Sequence, residues 1–158
     1  MFTLYNKLYA EATFELARKG KITLSNRCPF PDRKGATEYA LQFIRYEALY
    51  QIITTDKECS GCLQDLIERI SNHEFYIKLS MPWGNPQPEK DDDLVKKLNS
   101  KGHKKKVKAV LDLIYSVRCN MFHGNKQFVQ VQVDLLQPLT VILRCIIVEL
   151  YSKLQTTR

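Results

Sequence analysis

Arg118, Asn120 and His123 stand close together near the end of one apolar-patterned segment, and their side chains suit phosphate chemistry. A guanidinium is a permanent charge with a planar fork that fits phosphate oxygens. An imidazole titrates near neutral pH and passes protons in either direction. These types suit cleavage of RNA by its own 2′-hydroxyl. The histidine would take or give the proton, the arginine would meet charge developing on the phosphate, and the amide would orient the histidine or a phosphate oxygen. A spacing of five sets His123 about 140° from Arg118 around an ideal helix. The two share a site only if the helix end unwinds at Gly124, or if the site is assembled from two chains. The competing reading is structural: His123 caps a helix C-terminus, and Arg118 is neutralised internally by Glu47 or Asp112.

These residues must be positioned by helices. Val107, Val110, Leu111, Ile114, Val117, Met121 and Phe122 recur at helical spacing, which predicts a helix over 104–123. Gly124 and Asn125 can end it through a left-handed cap. Arg118 projects onto the face of Leu111 and Ile114, where a guanidinium requires an internal carboxylate, an anion or a subunit cleft. Further helices are expected over 3–19, 36–54, 57–72, 91–99 and about 128–155. Pro138 is expected to bend the last one. The alternation of Val129, Val131 and Val133 also fits a strand and leaves its start open. Residues 20–35 carry loop chemistry, with at most a short extended piece at 22–24. Residues 73–93 are irregular, with a short strand expected within 73–81. The class is all-α: one domain over 1–158, a bundle of four long helices plus one or two short ones.

Net charge is +7, unevenly placed. Residues 1–93 carry 12 basic and 14 acidic side chains, whereas residues 94–158 carry 12 and 3. Such asymmetry points to an anionic partner, with nucleic acid the commonest. Lys101, Lys104, Lys105, Lys106, Lys108 and Lys126 are the candidate RNA-backbone contacts, alongside Lys96, Lys97 and His103. The alternative is a solvated run balancing Glu89 and Asp91–Asp93. Tyr76, Trp83, Tyr115 and Phe122 are candidate stacking residues.

No apolar run has the length of a membrane span, and the N-terminus lacks the order of a secretory signal, so a cytoplasmic protein is expected. The five cysteines are expected to be reduced thiols. Cys59 and Cys62 form a C-x-x-C on an apolar stripe, where core packing competes with a zinc site completed by Cys28 and His73. Asp91–Asp93 reads as a solvated helix start rather than a cation site. No glycine-rich phosphate loop or Ser-His-Asp set is identifiable, and no metal or cofactor is expected.

The run Tyr115-Ser116-Val117-Arg118-Cys119-Asn120-Met121-Phe122-His123-Gly124-Asn125-Lys126 resembles the signature of the HEPN superfamily (higher eukaryotes and prokaryotes nucleotide-binding domains). The resemblance covers about a dozen residues. It implies a small helical bundle that dimerises, with Arg118 and His123 of both subunits lining a cleft. Active members cut RNA without metal, often as toxins or antiviral effectors controlled by an antitoxin or sensor protein. Such cleavage leaves a 2′,3′-cyclic phosphate. The position after the arginine is usually Asn, Asp or His. Here it is Cys119, and Asn120 stands in the polar role one place later. The catalytically inactive members, which bind nucleotide, RNA or a partner, are the alternative the departure favours. The toxin branch with a tyrosine two residues after the histidine is not matched, since Asn125 occupies that position.

Overall fold

The computed structural model describes residues 1–25, 30–80, 83–122 and 130–157, with the backbone alone at 122 and 130–132. Along the chain, α1 (Phe2–Arg18) is followed by α2 (Asp32–Lys34), a π-helical turn (Gly35–Tyr39) and α3 (Ala40–Ile44). Then come α4 (Tyr46–Thr55), α5 (Lys57–Ser71), α6 (Pro88–Leu98), α7 (His103–Phe122) and α8 (Gln130–Gln155). Among the described residues there is no strand, only an isolated antiparallel bridge between Leu79 and Pro86. The all-α class is therefore observed.

The core follows the apolar periodicity of the long helices. Leu135, Leu139, Ile142, Ile146, Leu150 and Leu154 of α8 are all buried, and α8 packs on α1 and α5. The α8 helix continues through Pro138, and residues 130–133 belong to it rather than to a strand. In α7, Val107, Val110, Leu111, Ile114 and Val117 are buried, joined by Ala109 and Leu113. A second buried face arises because α7 is wedged between α4 and α6. Met121 departs from the expected stripe and is 43% exposed.

Three expectations are corrected. The helix expected over 36–54 is broken. Gly35–Tyr39 forms a π turn, and Arg45 joins α3 to α4 at φ 82°. Close packing accompanies the turn. A Cβ on Gly35 would lie 3.1 Å from the Phe30 ring and 3.2 Å from Tyr9, and the Tyr5 hydroxyl donates to the Ala36 carbonyl at 2.5 Å. Second, the alternation of Phe75, Ile77 and Leu79 reports burial without a strand. Phe75 and Ile77 sit in the core, and only Leu79 finds a bridge partner. Third, α6 begins at Pro88, and Asp91 is not a solvated helix start. Asp91 is 1% exposed and accepts hydrogen bonds from the backbone N–H groups of Ile77 and Lys78. An extended segment with no sheet partner must satisfy its amides elsewhere, and this carboxylate does so.

Candidate functional site

Arg118 lies in the last turns of α7 on the side facing α2, its side chain 19% exposed. Its partner is Asp32, not Glu47 or Asp112: Nη1 donates to Asp32 Oδ2 at 2.5 Å. The Tyr9 hydroxyl donates to the other carboxylate oxygen, and the Tyr115 hydroxyl reaches Oδ2 at 3.3 Å. The guanidinium also stands 5.6 Å from the centre of the Tyr115 ring. Burial pushes the Asp32 carboxyl up, but Tyr9, Arg118 and Tyr115 together outweigh it and hold the group below its ordinary range. Burial and the hydrogen bond to Asp32 push the Tyr9 hydroxyl well above its ordinary range. The loop chemistry of residues 20–35 gave no sign that Asp32 would be the counter-ion.

Asn120 faces a different way. Its Nδ2 donates to the Ile77 carbonyl at 2.9 Å, tying α7 to the segment before α6. Close by, Lys78 donates from Nζ to Asp112 at 2.6 Å and to the Ser116 hydroxyl at 2.8 Å. Arg33 reaches the other Asp112 oxygen at 3.0 Å. Burial pushes the Asp112 carboxyl up, yet Lys78 and Arg33 leave it below its ordinary range.

A groove of about 450 Å³ runs between α6 and α7, with Asn120, Cys119, Ser116 and Tyr115 on one side and Lys90, Asp93 and Lys97 on the other. Lys78 and Arg33 also line it. Lys97 is paired with Asp93, whereas Lys90 has no ion pair among the described residues. Lys78 and Lys90 were not among the sequence candidates, because Lys78 is a lone lysine in an apolar segment and Lys90 stands within an acidic run.

The lysine run lies at the far end of α7. Lys104 and Arg118 are 14 positions apart, about 21 Å along a helix. The run is also divided. Lys108 pairs with Glu38 at 3.0 Å, and Lys104 and Lys108 line a separate pocket of about 550 Å³ with Arg45 and Tyr46. Lys105 shares a helical face with Asp112 and Ser116 but does not itself line the groove. Lys101 and Lys105 are exposed, and Lys106 is half-buried. His103 stacks on Tyr50 at 3.7 Å. Of the stacking candidates, Trp83 is 82% exposed, Tyr76 stacks on His73, and Tyr115 is engaged with Asp32.

Cys59 is buried and Cys62 half-buried on α5, in keeping with core packing. Burial and the neighbouring Cys145 push the Cys59 thiol up to about 12. Among the described residues no cluster of three or more His, Cys, Asp or Glu is disposed to hold a metal ion. None of the described helices is long and apolar enough to cross a membrane. His123, Lys126, Gly124, Asn125 and Cys28 lie outside the described residues, as does the side chain of Phe122. No family model matches the chain, and no match is found among curated proteins or solved structures.

Proposed function

We propose that this chain is a HEPN-like, RNA-acting domain whose site lies at the C-terminal end of α7. The observation that carries the reading is the groove beside that end. There Asn120, Ser116 and Tyr115 face a wall containing Lys78, Lys90 and Lys97, while Arg118 stands outside the groove against Asp32, with Tyr115 adjoining both. In this reading the domain is a metal-independent endoribonuclease, a toxin or defence effector acting as a homodimer under the control of an antitoxin or sensor. His123 moves the proton between the 2′-hydroxyl and the leaving oxygen. Arg118 meets the phosphate by exchanging its contact with Asp32 for a phosphate oxygen. Asn120 holds the helix end in register through Ile77, so it positions the site rather than touching the reacting atoms.

The test is cleavage of mixed tRNA and mRNA in EDTA, comparing wild type with His123→Ala. Metal-independent cleavage that disappears in the variant, with 2′,3′-cyclic phosphate termini, is the expected result. Full activity in His123→Ala would remove the mechanism.

A specific observation favours a second reading, a binding module without catalysis. Arg118 already has a carboxylate at 2.5 Å, and Cys119 follows it where the resemblance calls for a second polar group. A guanidinium so held contributes to the fold and to the local field. In that case RNA binds without turnover, and Arg118→Ala lowers affinity or stability while no cleavage is seen from either protein.

A further inference from the structure

The groove does not stop at the Asn120 end. On α6, Lys90, Asp93 and Lys97 recur at helical spacing and line its wall. On α7, Lys105 stands on the same helical face as Asp112, Ser116 and Cys119, two turns beyond Asp112, where the groove lining on α7 ends. The Asp93 carboxylate feels lysines of both helices. Lys97 donates to it, and the charges of Lys96 and Lys105 add to hold it below its ordinary range. The α6–α7 hairpin therefore carries one basic stripe, from Lys78 and Lys90 near Asn120 to Lys97 and Lys105 near the hairpin turn. Lys90 and Lys105 are exposed, and neither has an ion pair among the described residues.

We infer that this stripe is a track for the backbone of single-stranded RNA, leading away from the α7 C-terminal end and setting a minimum substrate length. The inference rests on the RNA-acting reading above and extends it to substrate class. Asn120 and Lys105 are 15 positions apart, about 22 Å along a helix. A stacked strand advancing about 3.4 Å per phosphate covers that distance in about six nucleotides. Cations spaced along a groove, with Tyr115 on its wall, are the usual means of tracking a single strand without reading its sequence. Lys90 and Lys105 supply affinity and take no part in the proton transfers.

The experiment measures binding of fluorescein-labelled single-stranded RNAs of 3, 6 and 12 nucleotides to the full chain at 50 and 200 mM salt. Wild type is compared with Lys90→Glu/Lys105→Glu, and both carry His123→Ala so that the probe survives. Affinity should rise from the 3-mer to the 6-mer by at least tenfold and change little beyond it. The double substitution should weaken the 12-mer by at least tenfold at low salt and leave the 3-mer within about twofold. It should also lower the salt slope by about 1.4, at about 0.7 per phosphate contact for single strands. Equal affinity for the 3-mer and 12-mer, tighter binding of a 12-base-pair duplex, or unchanged 12-mer binding in the variant would each overturn the track. Length-dependent binding with no cleavage by the His123-containing protein would leave the track and remove the nuclease. Cleavage without length-dependent binding would leave the nuclease and remove the track.

Discussion

The two ends of α7 handle charge in opposite ways. Toward the C-terminal end both described charges of α7, Asp112 and Arg118, meet partners from far along the chain. Arg118 meets Asp32, Asp112 meets Lys78 and Arg33, and the groove floor is pinned by Asp91 through the amides of residues 77 and 78. At the N-terminal end Lys104, Lys105 and Lys106 crowd the positive end of the helix dipole, with no acid in the first turn. Among the described residues, Lys108 alone of that run is ion-paired to a distant carboxylate, Glu38. The contrast separates two uses of charge. Partly buried charges must be matched inside the fold, because leaving one unmatched costs several kcal/mol. Exposed like charges cost little and remain available to a partner.

The C-terminal end should break hardest at Asp91. Asp91→Ala removes an acceptor from two backbone amides in or near the core and should cost about 3 kcal/mol, read by urea unfolding. Asp91→Asn keeps one accepting oxygen and should cost less. A loss below 1 kcal/mol for the alanine variant would mean that water reaches those amides.

The Arg118–Asp32 contact comes next. Arg118→Ala and Asp32→Ala should each destabilise by about 2 kcal/mol, discounted from a fully buried pair because the Asp32 side chain is 40% exposed. A double-mutant cycle should return a coupling of about 1 kcal/mol. Coupling near zero would mean that Arg118 is held by something other than Asp32. A further consequence distinguishes the two functional readings. If Asp32 restrains Arg118 from the phosphate, Asp32→Asn should raise RNA affinity even as it lowers stability.

The pH dependence sharpens the same contrast. Asp32 and Asp112 are both held below the ordinary carboxylate range in the folded chain. Each therefore contributes stability that is present above the unfolded value of about 3.9 and is lost as pH falls through the lower folded value. Asp32→Asn/Asp112→Asn should flatten the stability curve below about pH 4 and leave its slope unchanged between pH 6 and 8. Denaturant midpoints across that range would check it, and an acid limb as steep as wild type would contradict the pairing.

The smallest effect belongs to the lysine end. Lys104→Glu or Lys105→Glu places an acid on the positive end of α7 and should raise the melting temperature by about 1 °C each. A clear drop instead would assign those lysines a structural role.

Much of the fold was legible in local patterning. The faces of α5, α7 and α8 follow from apolar spacing, because a helix can bury only the residues that its 3.6-residue repeat places together. The break at Arg45 was not legible. It falls at a left-handed Arg45 between α3 and α4, and the apolar pattern of residues 36–54 runs through it unchanged. The burial of Asp91 was equally hidden, since an acidic run at a helix start has the same sequence whether it meets water or the amides of another segment.

The candidate site divides along the same line. The sequence by itself determined that Arg118 would project onto the core side of α7 and demand a counter-charge, because burying a lone guanidinium is expensive wherever it occurs. It also determined that the C-terminal half of the chain would be basic. Only the tertiary structure decided that the counter-charge is Asp32, 86 positions away, that Lys78 lines the groove beside Asn120, and that Lys108 turns to Glu38. The reason is range. Helical periodicity is set by neighbours within a turn or two, whereas the partner of a charge is set by which distant segments the whole core brings together.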